Sequence, residues 1–501
     1  MSPLRKIIQE QRTELKTKLN KTFHAIRKVL NIEGNLTAPK TDLANIKFSA
    51  KTVSEEGDIL REPLAAEIAA WNEMLPDLIN DFERIKDPRK PKKIKHSITV
   101  ILIYALLLFL FRLPSRKEIN LSLARPKFFE NIQTLIPEID SSPHSDTVAR
   151  VLERIEPEEI QEAHIKMLKK LIKNKKFIRL LIDGELPISI DGVEKIKRKG
   201  ALHAAQWLER HIGSKDNKEI QQYVYIVEAN ITFGNGLSIP LMSEFLYYDG
   251  NSDVTKQDCE ILGFKRLAKK LKAYFKRQKI IVCLDKLYPC EPVLSQVMGY
   301  NWSYMIVLPS NKFKTINESL NQAKKNQIPI PGQLMFNGRE QQYAWANGLQ
   351  HKSITGINAI SCVEKYTDVD KETGEEIILY SEHKWITNLK ITPSKLHLLC
   401  NLCARKRWGI EDSNNTEKNR GYSYKHAFSY NWNAMVCFHY MMRLAHAINV
   451  LAEYTPKLKA FIKKNGWSRT LNWVKEVMWS PWVNVQWLQN EKLKNPIFKI
   501  E

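Results

Sequence analysis

The chain has 501 residues, 43% hydrophobic and 26% charged, a composition typical of a folded protein with a full-sized core and room for two to four domains. Its 77 Lys and Arg residues against 55 Asp and Glu residues give a formal net charge of +22. An excess this large argues against an ordinary metabolic enzyme and indicates a polyanionic partner, with nucleic acid ahead of an anionic membrane. A basic surface without such a partner is the alternative.

The cysteines and the longest apolar run exclude two further classes. Seven scattered Cys residues argue against a disulfide framework and favour a reducing compartment, and the lone C-x-x-C pair, Cys400 and Cys403, is interpreted as helix packing. The N-terminus lacks a signal-peptide pattern, so we expect a cytoplasmic protein. The apolar run from Ile98 to Phe111 spans 14 residues. Because a membrane-spanning helix needs roughly 17–25 residues, we expect a buried helix and no membrane partner, a membrane-associated protein being the least favoured hypothesis.

The first part of the chain predicts helices. Residues 1–95 form a helical region with amphipathic patterns over 7–30 and 64–82, and residues 96–176 form a second helical domain. Pro143-His-Ser-Asp-Thr147 predicts a helix cap, and Pro157 opens the next helix. These two helices, joined by a short turn, permit a helix-turn-helix, although plain helical hairpins are far commoner. The basic linker over residues 87–95, which is interrupted by two prolines, suits phosphate contact, and a plain solvated linker is equally open. Its candidate DNA contacts are Arg89, Lys90, Lys92, Lys93 and Lys95.

From residue 177 to residue 309 the pattern changes to a mixed α/β domain with an antiparallel start and a parallel finish. Strands are predicted over 177–182, 186–190, 223–233, 237–246, 279–284 and 302–308. Gly234-Asn-Gly236 predicts a hairpin between two of them, and Asp183-Gly184 predicts a turn. Helices are predicted over 255–277 and 292–297.

The remainder divides into three segments. Residues 310–393 predict a β-rich insertion with strands over 341–345, 357–366 and 377–385, and residues 394–450 return to helix. Residues 451–501 predict a Trp-rich helical tail. We expect its tryptophans to bury a small helical core rather than to stack on bases.

Three acids are candidates for chemistry: Asp191 and Asp285, which each follow an apolar strand run, and Glu411, which lies on a helix. Strand ends at one sheet edge and a packed helix can bring such residues together. A carboxylate cluster needs compensating charge, and Mg²⁺ prefers hard oxygen ligands. Two such ions about 3.5–4 Å apart can activate a water or a 3′-hydroxyl for displacement at phosphorus.

The helix that carries Glu411 has one polar stripe. Arg407, Glu411, Asn414 and Lys418 occupy positions i, i+4, i+7 and i+11, so their side chains share a face. A carboxylate between two cations suits a site that holds both a metal ion and a phosphate backbone. The alternative is a solvated face with an ordinary i,i+4 ion pair.

The sequence resembles the bacterial insertion-sequence DDE transposases over roughly residues 97–450. The resemblance is carried by Ile188-Ser-Ile-Asp191-Gly, by Val282-Cys-Leu-Asp285-Lys-Leu-Tyr288 and by Arg407-x3-Glu411-x6-Lys418, with Gln257-Asp-Cys-Glu260 and Trp385-Ile-Thr-Asn-Leu389 as further similar segments. The chain departs from the family pattern at Ala404, where the family has Tyr, at Lys286 and at Asn414-Asn415. Asp183 competes with Asp191 as the first acid.

The resemblance implies an RNase H-like α/β catalytic core interrupted by a β-rich insertion, with an all-α N-terminal region and an α-helical C-terminal tail. It implies a DNA transposase that cleaves element ends and transfers strands, with Asp191, Asp285 and Glu411 as catalytic residues and ligands of two Mg²⁺ or Mn²⁺ ions. Arg407 and Lys418 would bind DNA phosphates. The implied partners are terminal inverted repeats and target DNA, bound by a homodimer. A catalytically silent DNA-binding protein of the same fold is the alternative.

Overall fold

A computed structural model describes residues 11–19, 21, 50, 52–200, 206–214, 217–247, 256–326, 334–370, 374–494 and 498–500. The chain divides into two compact units. The first comprises Met1–Glu56, Pro329–Gln342 and Cys362–His383, and the second comprises Gly57–Ile328, Tyr343–Ser361 and Lys384–Glu501. Residues 11–19 are helical, as predicted, whereas the rest of the helix predicted over 7–30 lies almost entirely outside the described residues.

Fourteen further α-helices and ten strands are described. The helices are α1 (Val53–Glu83), α2 (Ile98–Leu110), α3 (Glu118–Leu121), α4 (Pro126–Leu135), α5 (Ser145–Leu152), α6 (Pro157–Lys173), α7 (Lys256–Tyr274), α8 (Glu291–Gly299), α9 (Lys314–Asn326), α10 (Trp408–Asn419), α11 (Trp432–Glu453), α12 (Pro456–Asn465), α13 (Trp467–Trp479) and α14 (Val485–Leu493). The strands are β1 (Leu186–Lys199), β2 (Leu208–Ser214), β3 (Asn217–Thr232), β4 (Ser238–Leu246), β5 (Ile280–Leu284), β6 (Ser303–Val307), β7 (Leu334–Phe336), β8 (Arg339–His351), β9 (Ile354–Val369) and β10 (Glu376–Thr387).

Helix α2 lies at the centre of the second unit. All 13 of its residues are buried, and the Ser97 side chain caps it by accepting a hydrogen bond from the Val100 amide at 3.1 Å. It packs against α5 and α11, so the apolar run is a buried core helix, as predicted. Across the described ranges, no helix combines the length and apolarity that a bilayer crossing requires.

The sheet of the second unit is mixed. Strand β1 pairs antiparallel with β3 and parallel with β5, which pairs parallel with β6. Strand β3 also pairs with β2 over one half and with β4 over the other, and the predicted Gly234–Gly236 hairpin connects β3 to β4. Strand β10 joins antiparallel to β6 through Trp385–Thr387, so the end of the predicted insertion belongs to this sheet. The mixed α/β class and the helical flanking regions are confirmed.

Two strand predictions are wrong. Residues 177–182 contain a single 3₁₀ turn, Ile178–Leu180, because the chain turns at Asp183 and Gly184, both of which have positive φ. Strand β1 does not end at residue 190 but continues to Lys199, since β3 supplies backbone partners along that whole length. Asp191 therefore lies inside a strand and not at its tip. Helix α9, within the predicted β-rich insertion, was not anticipated.

The first unit contains the described parts of β7, β8, β9 and β10 that pair in the order β10-β9-β8-β7. The buried carboxylate of Glu364 on β9 is bound by two side chains of β8. It accepts hydrogen bonds from Arg339 Nη1 at 3.0 Å and from Gln341 Nε2 at 2.7 Å.

The C-terminal helices belong to the second unit. Helices α13 and α14 pack against α4, and the Trp479 ring stacks on Phe128 with centroids 4.4 Å apart. Trp473, Trp479, Trp482 and Trp487 all pack against the core, so the tryptophans of this segment bury helical surface.

Candidate active site

The two aspartates predicted as metal ligands lie in the same register of two parallel strands, Asp191 within β1 and Asp285 directly after β5. The β1–β5 register ends at Ser189 opposite Cys283, and Asp191 and Asp285 each follow two residues later. Paired strands lie about 4.8 Å apart. The Asp285 carboxylate also contributes to the raised pKa of Asp191, so the two residues lie near each other. Strand β5 ends at Leu284, which leaves Asp191 beside the point where its parallel neighbour stops.

Local hydrogen bonds fix both aspartates. Asp285 Oδ1 accepts the amide of Leu287 at 2.8 Å, so the side chain caps the turn that leaves β5. Asp191 Oδ1 accepts the amide of Gly192 at 3.0 Å. The rival acid Asp183 is exposed and pairs with Lys395 Nζ at 2.6 Å, and it is not among the groups that shift the pKa of Asp191.

Arg407 and Glu411 lie at the start of the helix that packs on the sheet, Arg407 in the turn before α10 and Glu411 on α10 itself. The chain runs through a π-helical segment, Leu398–Cys403, and a 3₁₀ turn, Ala404–Arg407, before α10 begins. This turn contacts β5 and β6, while α10 packs against β1, β3 and β4. Arg407 Nη2 binds Glu411 Oε1 at 2.6 Å, and the Arg407 side chain is only 8% exposed.

The electrostatics of Asp191 show that these groups share one environment. Burial raises the pKa of Asp191 to about 7; the Arg407 cation opposes this rise, and the carboxylates of Asp285, Glu411 and Glu260 add to it. Asp285, Glu411 and Arg407 therefore each lie within electrostatic reach of Asp191. Burial alone favours the neutral acid, and a nearby cation would restore the anion.

Among the residues that the structure describes, no three His, Cys, Asp or Glu side chains are already close enough to enclose a metal ion. The donor chemistry nonetheless fits Mg²⁺, which takes carboxylate oxygens and completes its shell with waters and phosphate oxygens. Asp191 and Asp285 would be the paired donors. Glu411 would join them if its carboxylate left Arg407, which would then be free to bind a phosphate.

The last residue of the predicted stripe is set apart from this cluster. Lys418 lies seven residues beyond Glu411, about 10 Å along the helix axis, with Nζ 5.7 Å from the centroid of the Tyr424 ring. Asn414, between them, is buried. The stripe is thus half buried, and its two cations lie near opposite ends of α10.

A fully buried ion network anchors α10 beneath the cluster. Arg443 on α11 pairs with Glu417 of α10 and with Glu228 of β3, each at 3.0 Å, and His446 binds Glu417 at 2.7 Å. Burial would raise the pKa of Glu417, but Arg443 and His446 hold it below its ordinary value. The helix that carries Glu411 is therefore fixed to the sheet by charge pairing.

The lysines of the basic linker are accessible, whereas Arg89 is already bound. Arg89 donates to Asp87 Oδ1 at 2.9 Å and to the carbonyl of His96 at 2.7 Å, so its guanidinium is already engaged. The four lysines predicted to contact DNA are exposed: Lys90, Lys92, Lys93 and Lys95.

Two residues at the site, Glu260 and Trp408, have no role that was predicted from the sequence. Glu260 on α7 lies beside Gly192, and its signal was an acid on the otherwise apolar stripe that continues through Phe264 and Leu267. Trp408, at the start of α10, is 61% exposed and lies 5.4 Å from the Arg407 guanidinium carbon. An exposed tryptophan next to a cation is a feature of nucleic-acid surfaces.

Cys400 and Cys403 are packing residues, as predicted. Both are buried, and Cys403 Sγ lies 3.5 Å from Cys283 Sγ. The hydrogen bond with Cys283 and burial raise the pKa of the Cys403 thiol well above its ordinary value, which disfavours the reactive thiolate.

Residues 79–168, from the end of α1 into α6, match the family model described as DDE_Tnp_1-associated. No curated protein matches the chain. The matched region lies before the three acids, so the cluster and the family match are separate observations. The match indicates a protein related to the DDE-family transposases.

Proposed function

We propose that this protein is a DDE-type transposase that cleaves and joins DNA with Asp191, Asp285 and Glu411 as its metal-binding acids. The observation that carries the proposal is that Asp191 in β1 and Asp285 directly after β5 each lie two residues beyond the last paired position of these parallel strands. Glu411 lies within electrostatic reach of Asp191 from α10. The DDE_Tnp_1-associated match supports it independently. The catalytic core would be RNase H-like, and the protein would act on terminal inverted repeats as a homodimer.

Each residue has a task that follows from its position. Asp191 and Asp285 would supply paired oxygen ligands, and Glu411 would complete the set. Arg407 would neutralise a phosphate beside the cleaved bond with its planar guanidinium, and Lys418 would hold the backbone further along the strand. Bound Mg²⁺ or Mn²⁺ would supply activation of the attacking oxygen and stabilisation of the leaving oxygen.

The exposed lysines of the linker and the net charge of +22 would supply most of the binding energy for DNA. Phosphate contacts do not distinguish DNA sequences, so other residues of the protein would recognise the terminal repeat. Binding should therefore weaken steeply as salt rises.

The test uses the full chain, Mn²⁺ and a plasmid that carries the DNA flanking the gene on both sides. The wild-type protein should nick or join the element ends, and Asp285→Asn should abolish this while retaining DNA binding. The matched controls are Asp183→Asn, the rival acid, and Asp412→Asn, which changes an exposed acid next to Glu411; both should cut normally. Cutting by Asp285→Asn would refute the proposal, and binding without cutting by the wild type would favour the catalytically silent DNA-binding protein.

A further inference from the structure

Glu260 is a buried acid with two tyrosine partners. It lies on α7 and is 7% exposed. The Tyr225 hydroxyl on β3 donates to Oε2 at 2.6 Å, and the Tyr288 hydroxyl donates to Oε1 at 3.2 Å. Both carboxylate oxygens are therefore held, which fixes the orientation of the carboxylate plane.

The same carboxylate packs on the backbone next to Asp191. A Cβ added at Gly192 would lie 2.6 Å from Glu260 Cδ, from Oε2 and from the Tyr225 hydroxyl, closer than real Cβ contacts come. A larger residue at this position would have to displace Glu260 and Tyr225. The glycine after Asp191 thus serves the close approach of Glu260, since no positive φ is involved.

Glu260 connects the two segments that carry the aspartates. Gly192 directly follows Asp191, and Tyr288 comes three residues after Asp285 in the turn that leaves β5. One carboxylate therefore links β1, β3, α7 and the end of β5. Displacing it would remove a side chain that contacts both Gly192 and Tyr288, a link that adds to the backbone pairing of β1 with β5.

We infer that Glu260 is a positioning residue that holds the backbones of Asp191 and Asp285 at the spacing needed for a divalent cation. This inference rests on the proposed function, because it assumes that the two aspartates bind the cation. Residues that orient metal ligands typically change metal affinity by 10–100-fold when they are substituted. Glu260 itself contributes through Gly192 and Tyr288, without touching the reacting atoms.

The experiment measures Mn²⁺ binding to the full chain without DNA, by titration with detection of free Mn²⁺ by electron paramagnetic resonance. Glu260→Gln keeps the side-chain size and should raise the Mn²⁺ dissociation constant by roughly 10–100-fold. Tyr225→Phe removes only one hydrogen bond and should raise it less. Thermal unfolding of each variant, followed by circular dichroism, establishes that the titrated protein is folded.

The matched control is Glu244→Gln. Glu244 is also buried and also faces α7, where Arg266 and Lys270 bind it, but it lies on β4 away from the aspartates. This variant should lose thermal stability and keep wild-type Mn²⁺ affinity. Wild-type affinity in both Glu260→Gln and Tyr225→Phe would overturn the inference alone. No Mn²⁺ binding by the wild-type chain would overturn the proposed function and the inference with it.

Discussion

Replacing Arg443 with Met should destabilise the protein through the helix that carries Glu411. Arg443 is 2% exposed and pairs at 3.0 Å with both Glu228 and Glu417, whose side chains are fully buried. Its Nη2 also donates to Asn230 Oδ1 at 2.5 Å. Met has similar volume but no charge, so the variant leaves two buried carboxylates without their shared cation.

The expected loss is about 3–5 kcal/mol at pH 7, the usual cost of removing one partner from a buried ion pair. His439 would replace little of the positive charge that Glu228 loses. Burial, and after it the Lys195 cation, lower the pKa of His439 to about 4, so this side chain is neutral at pH 7. For Glu417, whose folded pKa is depressed, the stabilisation is fully present above the ordinary value of 4.5 and is lost as pH falls through the folded value. Arg443→Met should remove most of that acid dependence.

The assay is urea unfolding of the full chain between pH 3 and pH 7, with hydrogen exchange of the α10 amides as a local readout. Arg266→Met is the matched control, since its side chain is 39% exposed and Lys270 also binds its partner Glu244. It should cost about 1 kcal/mol or less. A loss below 1 kcal/mol in Arg443→Met, with unchanged exchange in α10, would refute the reasoning.

Three further predictions follow from individual side chains. Burial raises the pKa of Glu67 to about 8, so the stability that Glu67 contributes is complete below pH 4.5 and is lost as pH rises towards 8. In Glu67→Gln, unfolding midpoints measured from pH 5 to pH 9 should fall less with rising pH than in the wild type. Trp408→Ala should weaken DNA binding by about 1–3 kcal/mol in a filter-binding assay while leaving unfolding unchanged, since the indole is exposed; equal affinity would exclude stacking. Cys283 and Cys403 should resist thiol reagents until the protein is unfolded, as measured by mass spectrometry of labelled peptides; rapid labelling of native protein would show that these thiols open to solvent.

Strand and helix types could be predicted where local chemistry determines them. The Gly234–Gly236 hairpin is specified by its own turn residues, and α2 by an unbroken apolar run too short for a bilayer. The Arg407–Glu411 pair follows from i,i+4 spacing alone. In these cases the interacting residues are close together in the sequence.

The extent of β1 and the role of Glu260 could not be predicted, because both depend on distant residues. Strand β1 continues past Asp191 since β3 pairs with it as far as Lys199, and the length of a strand is set by its partner. The role of Glu260 depends on its contacts with Tyr225, Tyr288 and Gly192, which lie on other elements. A single acid on an apolar helix stripe indicates a buried polar contact but does not identify the partner.

The most direct test of the account is a crystal of the protein soaked in Mn²⁺ and measured at the manganese absorption edge. The account predicts an anomalous peak between Asp191 and Asp285, with an oxygen of each carboxylate about 2.0–2.3 Å from the ion. A crystal with full manganese occupancy at other sites and no peak between these two aspartates would contradict it.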